Sequence, residues 1–429
     1  MEYNKTELEM LFAGKLTENG DTAFNTTGNR LLDILFMSEY YNKHLKEIPQ
    51  IGDGNSEKLF AMFIRDGRFG LGRRDLGRQL MRMADCSAEQ VVKAGRFDDL
   101  FLSGTTKDEW INYLFNEVHK GNELAKKWMP RYSSKHIMIA RKFAEMLELN
   151  KQQYGKLIKS HTVENQMSRQ NWQDIDFEHV PSLAAIKYAK AFERHESERY
   201  HQYLADVKAG KKELHVATTT VYDIYKNRGK IDADLFYSKI EKISGNWIPI
   251  IDVSGSMYDS NDSIGKALSI GKYLSDCSTY CPKQFLTFSN RPQLVEQKGT
   301  SYENILNNIA RADWSGSTNF GAVMSLLSGL KREIPQYLIV LSDMEFNCGS
   351  ASKKDETMQH FKEMGYSTKI IWWNFNSRNT TCPETDKYGN IYISGYNPML
   401  LKYLEVGFDG KQFLNKLLRE YAKNIGYTL

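Results

Sequence analysis

No apolar run in this chain approaches the ~20 residues that a membrane-spanning helix needs. The opening Met1-Glu2-Tyr3-Asn4-Lys5 lacks the basic-then-apolar layout of a secretory leader. The five cysteines, Cys86, Cys277, Cys281, Cys348 and Cys382, are scattered and odd in number. Together these absences point away from a disulfide frame and towards reduced thiols in a cytoplasmic protein. Cys277 and Cys281 stand four apart without a second Cys or His pair, so a packed helix face is expected there, not zinc. The histidines form no metal-spaced cluster, and His195 and His201 fall in a charged stretch that reads as a solvated face. A net charge of only +4 gives no global basic field, so any nucleic-acid surface must be local. What the chain does have is length and apolar content. Its 429 residues, 41% hydrophobic and 12% aromatic, suffice for two or three folded domains and exclude a disordered chain.

The chain divides by periodicity. Residues 1–28 are polar, carry Gly14, Gly20 and Gly28, and read as an irregular arm. Residues 29–243 place apolar side chains at helical spacing, as in Leu31, Leu32, Leu35, Phe36 and Tyr40, or Trp110, Tyr113, Leu114 and Val118. Short turns separate these stretches, which predicts stacked helix pairs without a clean internal repeat. Residues 244–429 alternate apolar strands with helices: strands over 247–251, 284–288, 337–341, 369–375 and 390–394, and helices over 264–275, 302–310, 320–330 and 357–364. Near-continuous apolar strands with helices between predict a mostly parallel sheet covered on both faces. An amphipathic helix carrying Phe413, Leu414, Leu417, Leu418 and Tyr421 ends the chain.

Two constellations carry chemistry. Asp252-Val253-Ser254-Gly255-Ser256 follows the strand Trp247-Ile248-Pro249-Ile250-Ile251. Downstream stand Thr318 and, directly after another apolar strand, Asp343. Ligands bind at the carboxyl ends of strands in such sheets. One carboxylate, two hydroxyls, a threonine and a second carboxylate suit a hard cation, Mg²⁺ or Mn²⁺. The alternative is that these residues only cap helix starts. Asp313 and Glu345 lie close in sequence and read as surface charge. No positioned base or nucleophile accompanies the set, which argues against hydrolysis and for a protein that is not an enzyme.

The second constellation is Ile64-Arg65-Asp66-Gly67-Arg68-Phe69-Gly70-Leu71-Gly72-Arg73-Arg74-Asp75-Leu76-Gly77-Arg78, five arginines and four glycines leading into a helix. Arg74, Arg78 and Arg82 share one helix face. Arginines suit phosphate, and glycines let helix-start amides approach an anion. The run has no G-K-[ST] ending, so no nucleotide cofactor is indicated. The alternative is a solvated basic face paired with Glu57, Asp66 and Asp75. A further basic stretch holds Lys127, Arg131, Lys135 and Arg141 around Trp128 and Tyr132. Those cations can pair phosphates, whereas Trp128 reads better as a core anchor.

These pieces resemble the Ro autoantigen group, in which a helical TROVE (HEAT-like) repeat precedes a von Willebrand factor A domain with a metal-ion-dependent adhesion site. The layout is more similar still to a family found in viruses, bacteria and plants. The matching residues are Phe63-Ile64-Arg65-Asp66, Gly95-Arg96-Phe97-Asp98-Asp99-Leu100, Lys127-Trp128-Met129-Pro130-Arg131, Val180-Pro181-Ser182, Lys187-Tyr188-Ala189-Lys190-Ala191-Phe192 and the metal set. The resemblance implies a helical-repeat domain over 29–243 and a Rossmann-like A domain over 244–429. It implies Mg²⁺ (or Mn²⁺) on Asp252, Ser254, Ser256, Thr318 and Asp343. It also implies RNA on a basic surface made by Arg65, Arg68, Arg73, Arg74, Arg78, Arg82, Lys127, Arg131, Lys135 and Arg141. The helical half is shorter than a full Ro ring requires. A second expectation is a protein-interaction module whose metal captures an acidic side chain of a partner.

Overall fold

The computed structural model describes residues 15–16, 22–23, 26–102, 107–134, 136–158, 163–216, 219–288, 291–312, 320–329, 334–343, 359, 362–363, 365–375, 381–385, 389–397 and 399–427. By its contacts the chain forms two units. One comprises Tyr41–Thr218 and Leu414–Leu429, the other Glu2–Tyr40 and Thr219–Phe413. The architecture is α + α/β, helices first and a mostly parallel sheet after them.

The first unit is built from short helices packed mainly against their sequence neighbours. Helix Asn55–Arg65 pairs with Arg74–Met83, and Ser182–His195 pairs with Ser197–Lys208. Between them Ala88–Ala94, Asp99–Leu102, Asp108–His119 and Glu123–Trp128 each touch the next. Side chains fix where these helices begin. Ser87 with Gln90, and Asn150 with Gln153, form reciprocal capping boxes. Helix Asn55–Arg65 is buried at every position from Leu59 to Arg65, so it is a core helix and not an amphipathic surface one. Its partner helix approaches through Gly77. A Cβ at that position would lie 2.5 Å from the Cβ of Arg65 and 2.6 Å from its Cα. Tyr421, on the terminal helix Gly410–Asn424, sets its ring edge-on to Phe63 and donates its hydroxyl to Asp66 Oδ2 at 3.1 Å.

The second unit carries, among the described residues, a seven-stranded sheet: β1 Trp247–Ile251, β2 Gln284–Thr287, β3 Leu294–Glu296, β4 Tyr337–Ser342, β5 Lys369–Asn374, β6 Thr381–Thr385 and β7 Ile391–Ser394. Their order is β3-β2-β1-β4-β5-β7-β6. The five central strands run parallel, and β3 and β6 close the edges antiparallel. Alternate side chains enter opposite layers, as strand pleating requires. Ile248, Ile250, Leu338, Val340, Ile370 and Trp372 pack with Val323, Met324 and Leu327 of helix Phe320–Gly329. Ile251 and Leu341 face helix Ser263–Cys277 at Gly271, where a Cβ would meet Ile251 Cδ1 at 2.4 Å.

The sequence places the domain boundary at residue 244, whereas the contacts group two earlier segments with the sheet. Asn397 Nδ2 donates to the carbonyls of Leu35 (2.9 Å) and Phe36 (3.1 Å), closing the end of helix Arg30–Phe36. Helices Val221–Asn227 and Ala233–Ser238 dock through Tyr302 N to Asp234 (2.7 Å) and the Tyr237 hydroxyl to Asp276 (2.6 Å). Most of the arm over 1–28, and most of the helix expected over 357–364, lie outside the described residues. Among the described residues no helix is long and apolar enough to cross a membrane.

Helix propensity alone predicts that Gly77→Ala stabilises a helix by about 1 kcal/mol. The approach to the Arg65 backbone reverses the sign. Gly77→Ala is expected to cost about 1–3 kcal/mol through overpacking, read as a lower urea midpoint. A raised midpoint would refute the close packing.

Candidate functional site

The arginine-rich segment sorts its charges by side. Arg65 is the last residue of a buried helix, is 3% exposed, and turns inward. Its Nη2 lies 2.6 Å from Oδ2 of Asp99, itself 1% exposed. Arg78 approaches the same carboxylate, with Nε 2.6 Å from Oδ1. Its Nη1 also reaches Asp75 at 3.0 Å. The Arg96 amide donates to Asp99 Oδ2 at 2.8 Å. Burial alone would lower the Arg78 guanidinium, but the charge and hydrogen bond of Asp99 outweigh it and hold it above its ordinary value. Arg65, expected on the RNA surface, therefore turns inward, and Arg78, expected there too, is half-buried against the same acid. Their charge is neutralised by a buried acid.

Most of the loop amides are spent inside the protein. Arg68 N (2.6 Å) and Phe69 N (3.3 Å) donate to Asp66 Oδ1. Leu71 N, Gly72 N and Arg73 N donate to the carbonyls of Phe63, Asp66 and Ile64. At the start of the next helix Leu76 N donates to Asn42 Oδ1 at 3.0 Å. A helix start binds anions only through amides without partners. Gly70 serves packing, since a Cβ there would meet Phe63 O, and Gly72 serves a turn at φ +66°.

Other cations of the set remain outside. Arg68 and Arg74 are exposed, and Arg73 and Arg82 are half-buried. Arg131 and Arg141 are exposed and Lys127 is half-buried, while Lys135 lies outside the described residues. One cation that the periodicity did not single out joins the two stretches. Arg96 sits 4.5 Å from the centre of the Trp128 ring, which Lys127 also faces at 5.3 Å. Burial lowers the Arg96 guanidinium, repulsion from Arg74 lowers it further, and Asp98 opposes both. Burial also lowers Lys127, with Glu164 opposing and Arg96 adding to the fall. The sequence signal was Gly95-Arg96 ahead of two adjacent acids in an apolar context. A Cβ at Gly95 would lie 2.1 Å from Asp99 Oδ2, so only glycine lets that carboxylate reach the turn.

The other candidate lies at the carboxyl edge of the sheet. Strands β1 and β4 pair in register, Ile251 opposite Leu341, which sets Asp252 beside Ser342 and brings Asp343 to the same sheet edge one residue further on. Asp252 is fully buried and Asp343 is 2% exposed. Asp252 Oδ2 accepts the Ser342 hydroxyl at 2.6 Å, and Oδ1 accepts Ser254 N at 2.9 Å. Burial raises the Asp252 carboxyl, the hydrogen bonds from Ser342 and Ser254 resist, and Asp343 adds repulsion. The hydroxyls of Ser254 and Ser256 lie 3.1 Å apart. Adjacent oxygens around an octahedral Mg²⁺, each ~2.0–2.1 Å from the ion, lie about 3.0 Å apart, so this spacing fits two neighbouring ligands. Thr318, Asp313 and Glu345 lie outside the described residues. Among the described residues no group of three or more His, Cys, Asp or Glu side chains converges on a metal-sized site. Two acids plus hydroxyls are what this edge offers a cation.

Residues outside the motif shape its loop. Asp259 accepts Ser263 N (2.9 Å), the Ser263 hydroxyl (2.6 Å) and Asn261 N (3.0 Å), which starts helix Ser263–Cys277. Asp262 adopts φ +55° and accepts the Tyr222 hydroxyl at 2.9 Å.

Asp99→Asn removes the charge between Arg65 and Arg78 while keeping its shape. The expected loss is about 3–5 kcal/mol, as for a broken buried pair, with a lower melting temperature. A variant as stable as the parent would show that Asp99 does not organise the unit.

Family models match two stretches of the chain: a domain of unknown function, DUF7788, over residues 246–419, and another, DUF2828, over residues 156–247. Uncharacterized protein L728 of Acanthamoeba polyphaga mimivirus is 24% identical over 505 aligned residues, which cover 95% of this chain and 88% of the viral one. The crystal structure of the Deinococcus radiodurans Ro (RSR) protein overlaps with a TM-score of 0.38 at 9% identity, over 95% of this chain and 96% of that one. An overlap of that size carries no argument about activity.

Proposed function

We propose that this chain is a non-enzymatic, cytosolic RNA-binding protein, with RNA phosphates held on the helical unit and Mg²⁺ (or Mn²⁺) held at the sheet edge by Asp252, Ser254, Ser256, Thr318 and Asp343. The observation that carries this reading is the sorting of charge over residues 65–82. The acids Asp66 and Asp99 are buried with Arg65, while Arg68 and Arg74 face solvent with Arg73 and Arg82 half-exposed beside them. A chain whose net charge is only +4 thereby presents a locally basic surface. Such a surface recognises backbone charge and gives a steep salt dependence. The resemblance of the same segments to the Ro group points the same way. A cation at the sheet edge would offset the charge of Asp252 and Asp343 and accept further oxygen ligands from outside. A partner's carboxylate in that place would make the sheet unit a protein-docking module, the competing outcome.

Two measurements test the reading. Anisotropy titrations with structured and single-stranded RNA compare the parent with Arg68→Glu/Arg74→Glu, two exposed side chains, once equal melting temperatures show that both proteins fold alike. Affinity is expected to fall about tenfold or more on every sequence, because each lost phosphate contact removes a counterion-release contribution. Equal affinities would reject the surface. Mg²⁺ is expected to raise the melting temperature of the parent and to leave that of Asp252→Asn unmoved, since a ligand stabilises only a state that binds it. The same Mg²⁺ shift in both proteins would remove the metal from the reading.

A further inference from the structure

We propose that Arg96 and Lys127 form a seat for one phosphate group of a nucleic-acid strand, with the Trp128 indole holding both in place. The proposal rests on the RNA reading above and adds to it one position and one chemistry. Arg96 was not among the residues expected to bind RNA, and it joins two basic stretches that the sequence keeps apart.

The geometry begins with Asp99. Its Oδ2 accepts the Arg96 amide, and its own amide donates to the Arg96 carbonyl at 3.0 Å, so the Arg96 backbone is pinned. The side chain then has one large surface to lie on. Its guanidinium carbon stands 4.5 Å from the centre of the Trp128 ring. Lys127, the residue before that tryptophan, brings its ammonium to 5.3 Å from the same centre. A cation over an indole is held by charge and quadrupole, which leaves its N–H donors unspent. Among the described residues, neither the Arg96 guanidinium nor the Lys127 ammonium enters a hydrogen bond or an ion pair with a carboxylate. Both are half-buried. Asp98 and Asp99 are the acids that bear on Arg96, and Glu164 bears on Lys127. Among the described residues none of the three forms an ion pair with the cation it bears on. Glu164 instead accepts the Tyr188 hydroxyl at 3.3 Å.

Half-buried cations that repel one another are costly unless an anion sits among them. The geometry selects the anion. A fork of arginine donors with a point-charge lysine beside it matches tetrahedral phosphate oxygens. The indole is already covered by the protein's own cations, so it is not a platform for stacking a base. The seat therefore reads backbone phosphate and is indifferent to sequence.

The test uses the full chain, with oligouridine, oligoadenine and oligocytidine followed by anisotropy at several salt concentrations. Arg96→Gln and Lys127→Gln are each expected to weaken binding roughly fivefold to tenfold on all three strands and to reduce the salt slope by about 1. Arg96→Lys, which keeps the charge, is expected to restore most of the affinity. That rescue separates phosphate contact from a merely structural role. If the parent binds RNA while both glutamine variants keep its affinity and slope, the seat is wrong and the wider RNA reading stands. A loss confined to one base sequence overturns it as well. If the parent binds no RNA, inorganic phosphate decides. Tryptophan fluorescence that responds to phosphate in the parent, and not in Arg96→Gln or Trp128→Phe, keeps the seat for a free phosphate source and rejects the RNA reading. No response rejects both.

Discussion

Taking a carboxylate out of water costs several kcal/mol unless cations and N–H donors replace the solvent around it. Asp99 meets that requirement with Arg65, Arg78 and the Arg96 amide, and the helical unit is arranged to bring those groups together. Arg65 ends one core helix, Arg78 lies inside the next, and Arg96 opens the turn that follows. Gly77 lets the first two helices approach, and Gly95 lets the carboxylate reach its turn. A hydrophobic cluster of the same size would hold the helices as tightly. It would not set their register so narrowly, because a bidentate carboxylate accepts its partners only from defined directions. The inward charges also decide the outward ones. With Arg65, Asp66 and Asp99 occupied inside, the surface of this segment carries Arg68, Arg73, Arg74 and Arg82, with Asp75 exposed among them.

The sheet edge handles buried charge differently. Asp252 is as deeply buried as Asp99, but its close partners are a hydroxyl and an amide, and its charged neighbour is another carboxylate, Asp343. Parallel strand pairing forces that neighbourhood. Once Ile251 and Leu341 are in register, Asp252 lies beside Ser342, and Asp343 follows one residue further at the same end of the sheet. Hydroxyls at this edge orient the carboxylate without neutralising it. Such a site gains from a hard cation, whereas the Asp99 site already contains its counter-charges.

The sheet was legible because its central strands read as near-continuous apolar runs, the mark of strands covered on both faces. The two antiparallel edges were not. Leu294–Glu296 spans three residues, and Thr381–Thr385 is polar with a proline inside, which only an edge tolerates. Asp252, Ser254 and Asp343 were visible because strand ends place ligands. Asp259, Asp262 and Ser342 were not, since each acts through a neighbour. In the arginine-rich segment, composition counts charges but does not say which way they face. The available clue was that Arg65 ends an apolar helix and that Asp98-Asp99 sits between Phe97 and Leu100-Phe101. An acid pair in an apolar context needs buried cations, and Arg65 and Arg78 are those cations. The contacts also group two helices before residue 244 with the sheet, which the sequence does not signal. Helices Val221–Asn227 and Ala233–Ser238 read like the helices before them, and Tyr222, Asp234 and Tyr237 are among the residues that tie them to the sheet unit.

Several buried aspartates of this chain share one local device, a carboxylate that accepts a backbone N–H close by in sequence. Asp66 takes Arg68 N and Phe69 N, Asp99 takes Arg96 N, Asp252 takes Ser254 N, and Asp33 takes Thr27 N at 2.5 Å. The amide fixes where the oxygen points, and the remaining partners decide what the residue does. Beside Asp33 they include the hydroxyls of Thr26 and Thr27, and the result is a helix anchored at its start. Beside Asp99 they are arginines, and the result is a rigid core that aims other cations outward. Beside Asp252 the neighbour is a second acid, with the serine hydroxyls of the same loop spaced as adjacent ligands would be. Of these aspartates, Asp252 is the one whose charge is opposed by its own surroundings, and that opposition is what an incoming cation would relieve.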